Sequence, residues 1–182
     1  QRMRSIILSV LFVVFALVAN GQAYLGQTTS NVYLREGPGQ TYTQITTLSV
    51  GTQLFVESKI AENDYFKVID IMSNKTGYVH KDYVRLIEAL PENKDGIFER
   101  IGATGNESSE LTIENNTSLT LTLRLNQKTY SFSPRQTRKL SVSAGTYSYT
   151  ASAPGVIPDY GSEYISSGSA YSWTFYIVTT RY

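Results

Sequence analysis

Two stretches of the chain alternate apolar and polar residues with the period of two that is typical of half-buried β-strands. The first runs from about Gln27 to Ile87, and its short apolar segments are separated by Gly, Pro and Asn. The second begins at Glu110, and its clearest element has leucine at every second position from Leu119 to Leu125. No segment shows a strong period of 3.6 residues, so the pattern predicts an all-β protein.

The first stretch contains strands that are separated by residues suited to tight turns. Val32 and Leu34 begin one strand, and Glu36 to Gly39 must turn, because proline fixes φ and glycine accepts positive φ. Asn74, in a second tight connection, is expected to adopt the left-handed conformation. Short strands with such turns predict a small β-barrel over residues 26–87.

Residues 110–182 are predicted to form a second domain, an antiparallel β-sandwich of about six or seven strands. In the strand of alternating leucines, Thr122 and Arg124 share the opposite face, which is expected to be exposed to solvent. A longer loop is expected from Pro154 to Gly161. Between the domains, residues 88–109 combine glycine, proline and charged residues and are predicted to be a linker.

Residues 1–23 have the three-part pattern of a secretory signal peptide. Arg2 and Arg4 are followed by an apolar run from Ile6 to Val18 that is interrupted only by Ser9. The run is shorter than the roughly 20 residues that cross a bilayer. An uncleaved N-terminal anchor is the alternative interpretation, but the length favours removal, after which no transmembrane span is expected.

Two cleavage positions fit the preference for small residues before the cut. One follows Gly21, in Ala19-Asn20-Gly21, and the other follows Ala23, in Gly21-Gln22-Ala23. The chain has no cysteine, so neither the lipobox of a bacterial lipoprotein nor a disulfide is possible. These features predict a bacterial protein that is periplasmic or secreted.

Composition argues against nucleic-acid binding and against the common types of catalysis. Removing residues 1–21 takes away two arginines and no acidic residue, which changes the formal charge from +1 to −1. A near-neutral chain has no long-range attraction for nucleic acid. His80 is the single histidine, so metal sites and catalytic triads lack the groups they need, and His80 is interpreted as a surface or packing residue. We therefore predict no catalytic residue, metal or cofactor.

An ordered series of motifs in the first domain resembles a bacterial SH3 (SH3b) domain. The motifs are Asn31-Val32-Tyr33-Leu34-Arg35-Glu36-Gly37-Pro38-Gly39, Tyr65-Phe66-Lys67-Val68, Gly77-Tyr78-Val79 and Tyr83-Val84. Tyrosine stands where the family has tryptophan in the second and third motifs, and two extra residues precede the arginine of the first. The resemblance implies a small barrel that binds ligands and carries no chemistry of its own.

SH3b domains often attach proteins to peptidoglycan or its stem peptides, and the resemblance implies such a ligand here. Aromatic faces suit extended peptides and sugar rings, because they combine a large contact area with a polar tip. Each tyrosine could instead be a half-buried barrel residue. The candidate ligand-binding residues are Tyr42, Tyr65, Tyr78 and Tyr83, with Glu36 and Asp82 as charged groups at the edge of an aromatic shelf.

The second domain shows a weaker resemblance to PEGA-type and carboxypeptidase-regulatory-like sandwiches, carried by Leu140 to Gly155. Such domains are non-catalytic surface or periplasmic modules. Its many tyrosines would suit a carbohydrate platform, but the strict period of two favours core positions for Tyr147, Tyr149 and Trp173. Tyr160 is expected in the predicted loop, where nothing forces burial, and it is a further candidate ligand-binding residue.

These observations predict an exported all-β protein, with an N-terminal SH3-like small β-barrel followed by a C-terminal antiparallel β-sandwich. The expected function is non-catalytic binding at the bacterial cell envelope, with peptidoglycan or a stem peptide as the ligand. The alternative is a structural scaffold that binds another envelope protein through the barrel or through an edge strand of the sandwich.

Overall fold

The computed structural model describes residues 21–177, so nearly all of the predicted signal peptide lies outside the described residues. Within this range the chain forms fifteen strands and one short 3₁₀ helix. No helix of the described part has the length and apolarity needed to cross a membrane. The strands are β1 (Tyr24–Thr28), β2 (Val32–Arg35), β3 (Gln44–Leu48), β4 (Gln53–Val56), β5 (Tyr65–Asp70), β6 (Lys75–His80), β7 (Val84–Ala89), β8 (Glu99–Ala103), β9 (Ser109–Asn115), β10 (Leu121–Leu125), β11 (Lys128–Phe132), β12 (Thr137–Val142), β13 (Gly145–Ala153), β14 (Val156–Ile165) and β15 (Ser169–Phe175).

The N-terminal unit is an antiparallel sheet with the strand order β3-β2-β6-β5-β4-β1-β7. Strands from the middle and from both edges of this sheet contribute to one buried cluster, so the sheet curls around a common core as a small barrel. This arrangement confirms the predicted SH3-like barrel. The buried members of the cluster are Leu34, Leu48, Leu54, Val56, Phe66, Val68, Val79 and Val84.

The turn between β5 and β6 has the predicted geometry. Asn74 has a φ of 58°, in the left-handed region that asparagine tolerates better than most residues. Its backbone N–H donates to the carbonyl of Asp70 at 2.8 Å, and its side chain donates to Oγ1 of Thr122 in the second domain at 3.1 Å. The same residue therefore closes a hairpin and contacts the neighbouring domain.

The C-terminal unit is a sandwich of two four-stranded sheets, β11-β10-β13-β14 and β12-β9-β15-β8. All strand pairs are antiparallel except β9 and β15, which run parallel. The predicted core positions are confirmed, because Tyr149 is buried and Tyr147 and Trp173 pack against the core. The buried core residues are Phe98, Leu111, Ile113, Leu121, Leu123, Leu125, Phe132, Leu140, Tyr149, Ala151, Ala153, Ile165, Tyr171 and Phe175.

The segment predicted to be a loop, Pro154 to Gly161, is instead the turn into a long strand. Gly155 has a φ of 75° and makes a tight turn, after which β14 pairs with β13. Pro158 is compatible with this strand because β14 is at the edge of its sheet, where a missing N–H need not break a ladder. Within the stretch predicted to be a linker, residues 88–109, β8 pairs with β15 of the sandwich.

The two units pack against each other through a shared apolar cluster. β4 is buried on both faces: Leu54 and Val56 point into the barrel core, while Phe55 faces the sandwich. The ring of Phe55 meets that of Tyr160 edge-on, with 5.6 Å between their centroids. The cluster consists of Ala23, Leu25, Phe55, Ile69, Ile71, Leu90 and Tyr160.

Polar contacts extend this interface beyond the apolar cluster. Arg124 of β10 pairs with Glu57 at 2.5 Å, and Lys67 lies 3.4 Å from the same carboxylate. The backbone N–H of Gly155 donates to the carbonyl of Ile71 at 2.7 Å. The face of β10 that was predicted to be solvent-exposed therefore meets the barrel, which explains why Arg124 is half-buried.

Candidate ligand groove of the barrel

A groove of about 210 Å³ lies at one side of the barrel, where β2, β5 and the end of β6 meet. Tyr33 and Arg35 project from β2 because both have the opposite parity to the buried Leu34. The 3₁₀ helix Lys81–Tyr83 follows β6 directly and brings Tyr83 to the groove. The groove is lined by Val32, Tyr33, Arg35, Gln40, Tyr65, His80 and Tyr83.

The ring of His80 packs against those of Tyr65 and Tyr83, and these three residues form the aromatic wall of the groove. The His80 ring lies edge-on to that of Tyr65, with a centroid distance of 5.1 Å, and 5.8 Å from that of Tyr83. Its Nδ1 accepts a hydrogen bond from the backbone N–H of Asp82 at 3.4 Å and lies 3.7 Å from the Asp82 carboxylate. His80 is therefore a packing residue that caps the 3₁₀ helix, as the sequence predicted.

The two exposed rings of the groove are those of Tyr33 and Tyr83. They are 49% and 46% exposed, whereas Tyr65 is only 6% exposed and forms the base of the wall. The guanidinium of Arg35 lies 5.3 Å from the centroid of the Tyr33 ring. Arg35 also donates to the carbonyl of Tyr42 at 2.9 Å, which fixes the cation beside the exposed tyrosine.

The structure brings three of the predicted ligand residues to this groove or its edge. Tyr65 and Tyr83 line it, and Asp82 lies beside it through its contacts with His80. Tyr42 is outside the groove, where its ring covers Gly37 so closely that a Cβ there would overlap the ring. Tyr42 therefore affects the groove indirectly. Its carbonyl accepts a hydrogen bond from Arg35, and its ring packs on the loop after β2.

The remaining predicted residues do not join the groove. Glu36 is exposed in the loop after β2. Tyr78 is half-buried in β6 opposite Lys67, and burial raises the pKa of its phenol, with smaller contributions from Glu62 and Glu57. Tyr160 was predicted to be exposed in a loop, and this is wrong: it is 6% exposed and lies between the domains.

Sequence reasoning missed Tyr33, Arg35 and Gln40 as groove residues. The period of two in β2 contained the signal for the first two, because Leu34 is a core residue and its neighbours must face outwards. Gln40 carried no such signal, since its position depends on the course of the loop after Pro38. Within residues 21–177, no group of three His, Asp or Glu side chains is placed to hold a metal ion.

An ion pair between Lys81 of the 3₁₀ helix and Asp64 lies near the groove. Lys81 pairs with Asp64 at 2.7 Å, and this hydrogen bond, together with the charge of Lys81, lowers the pKa of the Asp64 carboxyl. Arg35 is the cation among the lining residues. The groove can therefore accept an aromatic or aliphatic contact along its walls and a carboxylate near Arg35.

Comparison with known proteins bears on the barrel alone. Residues 30–85 match the family described as Bacterial SH3 domain, and this range contains every residue that lines the groove. No curated protein and no solved structure shows a significant match to the chain. The barrel of this chain is therefore a bacterial SH3 domain, joined to a β-sandwich.

Proposed function

We propose that this chain is an exported, non-catalytic binding protein of the bacterial cell envelope that recognises the stem peptide of peptidoglycan in the groove of its SH3 domain. Bacterial SH3 domains are a known type of cell-wall-binding module. The observation that carries the proposal is the groove itself: two half-exposed tyrosines, Tyr33 and Tyr83, line it, and the guanidinium of Arg35 lies beside the Tyr33 ring.

The groove chemistry suits a short extended peptide with free carboxylates. Tyr33 and Tyr83 offer rigid apolar surface that loses little conformational entropy on binding. Arg35 uses one nitrogen on the Tyr42 carbonyl, and its other N–H groups remain suited to a carboxylate, which guanidinium can bind with two parallel hydrogen bonds. A stem peptide supplies both an extended backbone and carboxylates.

Alanine substitution of either exposed groove tyrosine is expected to weaken binding of a purified stem peptide. Central aromatic residues often contribute about 2 kcal/mol or more to binding, so Tyr33→Ala or Tyr83→Ala should raise Kd by about 30-fold or more. Isothermal titration calorimetry measures this directly. The matched control is Tyr164→Ala, which removes a tyrosine that is 64% exposed on β14, outside the groove.

Equal affinities of the wild-type protein and both groove variants would show that the stem peptide does not bind in the groove. The thermal midpoint of each variant should stay close to that of the wild-type protein, because Tyr33 and Tyr83 are exposed and outside the core. A variant that binds weakly and also unfolds early would not count as support until Arg35→Ala had been tested as an independent probe.

Export would require removal of the leader, and the contacts of residues 22 and 23 favour cleavage after Gly21. Ala23 is buried, and its carbonyl accepts from the N–H of Leu90 at 2.9 Å. The Gln22 side-chain amide donates to the carbonyl of Leu90 and, at 2.9 Å, to the Tyr160 hydroxyl. Cleavage after Ala23 would delete both residues, leave the Leu90 N–H without this partner, and remove the Gln22 amide from the Leu90 carbonyl and the Tyr160 hydroxyl.

We therefore predict that the exported chain begins at Gln22. Intact-mass measurement and N-terminal sequencing of protein recovered from the periplasm or medium of a bacterial host would show this. A chain that begins at Tyr24 would contradict the prediction and leave export standing. A full-length chain retained in the cytoplasm would contradict export.

An exposed edge strand supports the scaffold function as a second candidate. β8 pairs with β15 along one side and has all five residues exposed, with Ile101 the largest apolar side chain among them. An edge of this kind can add a strand from a partner. Cross-linking in cells separates the two candidates, because a single envelope protein attached at β8 favours the scaffold and wall fragments attached at the groove favour binding.

A further inference from the structure

A second groove, of about 710 Å³, lies at one end of the sandwich and is lined by residues of both sheets. One wall is the β10–β11 hairpin, with Gln127 and Lys128 at its tip, and the other is the end of β12 and the start of β13. Leu125 and Val142 are the aliphatic residues of the lining, and both belong to or pack against the sandwich core. The volume is within the range of about 300–1,000 Å³ that is typical of small-ligand sites.

Two tyrosines contribute aromatic surface to this sandwich groove, and both are held in place. The hydroxyl of Tyr147 donates to the backbone carbonyl of Ser143 at 2.9 Å, which fixes its ring. The ring of Tyr130 lies 5.9 Å from the guanidinium carbon of Arg138. Both tyrosines are half-buried, so each presents part of its ring to the groove without needing to leave the core.

The polar lining of the sandwich groove is almost free of charge. Lys128 is the only Lys, Arg, Asp or Glu among the residues that line it, and the other polar groups are amides and hydroxyls of Asn126, Gln127 and several serines. This combination of aromatic surface, neutral hydrogen-bonding groups and no carboxylate matches the surface of a sugar ring, which has apolar faces and a hydroxyl or amide edge. Among the lining residues, an acidic peptide would find only Lys128 as an opposite charge, and the guanidinium of Arg138 lies beside the Tyr130 ring.

We propose that the sandwich groove binds a saccharide chain, the N-acetylated glycan strand of peptidoglycan. The inference rests on the proposed function, because it assigns the glycan to the sandwich and the stem peptide to the barrel. The two domains pack through an apolar cluster and an ion pair, so both sites are carried on one body. Two sites that bind one polymer raise its apparent affinity through effective concentration.

The defined probe for this site is the N-acetylglucosamine tetramer, titrated into the full chain without its leader. The tetramer should bind the wild-type protein and the Tyr83→Ala variant equally. Tyr147→Ala should weaken binding by about 10-fold or more, which corresponds to about 1.4 kcal/mol, because the sugar ring would lose the aromatic face against which it packs. Gln127→Ala, at an exposed turn, should weaken binding without changing the thermal midpoint.

The outcomes separate this inference from the proposed function. If the wild-type protein binds the stem peptide but not the tetramer, the sandwich site is overturned and the barrel site stands. Tetramer binding that is lost in Tyr83→Ala and retained in both Tyr147→Ala and Gln127→Ala would place the saccharide in the barrel and also overturn the inference. The control Tyr164→Ala should bind both probes like the wild-type protein.

Discussion

Replacing Tyr160 with alanine is expected to lower the free energy of unfolding by about 3–5 kcal/mol, the usual range for removing a large aromatic side chain from a core. Tyr160 belongs to the apolar cluster between the domains and packs edge-on against Phe55. Its hydroxyl donates to the Leu90 carbonyl at 2.8 Å and accepts from the Ala23 N–H at 3.2 Å. The substitution therefore removes both packing and a buried hydrogen-bonding centre.

Chemical denaturation measures this loss, and two variants separate its causes. Tyr160→Phe keeps the ring but leaves buried polar partners unsatisfied, so it should be destabilised by about 1–3 kcal/mol. Tyr164→Ala lies on the same strand but is exposed, so its stability should stay within about 0.5 kcal/mol of wild type. A Tyr160→Ala protein that is as stable as wild type but binds ligand more weakly would restore Tyr160 as a ligand residue.

Replacing Gly77 with alanine is expected to destabilise the barrel by about 1–3 kcal/mol, the range for overpacking a core position. An added Cβ would lie 2.6 Å from the carbonyl oxygen of Arg35 and 2.8 Å from Cγ of Leu34. The first contact is with backbone of the neighbouring strand, which cannot move without disturbing the pairing of β2 with β6. Because Arg35 also lines the groove, ligand binding should weaken together with stability.

The matched control for Gly77→Ala is Gly102→Ala in β8. A Cβ at Gly102 would meet no atom within 4 Å, so stability should be unchanged or slightly higher, since alanine has less conformational freedom to lose than glycine. Thermal and chemical unfolding of both variants would test the pair. Equal stability of the Gly77→Ala and wild-type proteins would show that β2 and β6 are not packed as closely as described.

The strands and turns of the barrel could be predicted from the sequence because their signals are local. Alternation around Leu34, the turn after β2 and the left-handed Asn74 each depend on a few neighbouring residues. The alternating leucines of β10 likewise identified the core face of the sandwich. In each case one buried face and one turn residue were enough to fix the element.

The packing between the domains could not be predicted, because its partners are far apart in sequence. Tyr160 and Leu90 are separated by 70 residues, and Pro158 and Gly161 gave β14 the local composition of a loop. Arg124 had the polar character of a solvent-facing residue, but its face is covered by the barrel and its charge is paired with Glu57. A polar residue at a domain interface and one at a free surface have the same local pattern.

Only part of the groove could be predicted from the sequence. Tyr65 and Tyr83 belong to motifs that resemble those of the SH3b family, so the resemblance identified them as candidates. Tyr33 was missed because Tyr33 and Leu34 were interpreted as extra residues in the first motif, although their alternation separates an outward tyrosine from a buried leucine. Arg35 was matched to the arginine of that motif and was not considered as a ligand residue. Tyr42, which follows the first motif, and Tyr78, which belongs to the third, show that a tyrosine in or near a motif can contribute to the barrel without lining the groove.

Sedimentation of the full chain with purified peptidoglycan sacculi tests the central claim most directly. The account predicts that the wild-type protein and Tyr164→Ala enter the pellet, whereas the double variant Tyr33→Ala and Tyr83→Ala, with an unchanged thermal midpoint, remains largely in the supernatant. A wild-type protein that stays wholly in the supernatant, or a double variant that enters the pellet as fully as wild type, would contradict recognition of peptidoglycan by the barrel groove.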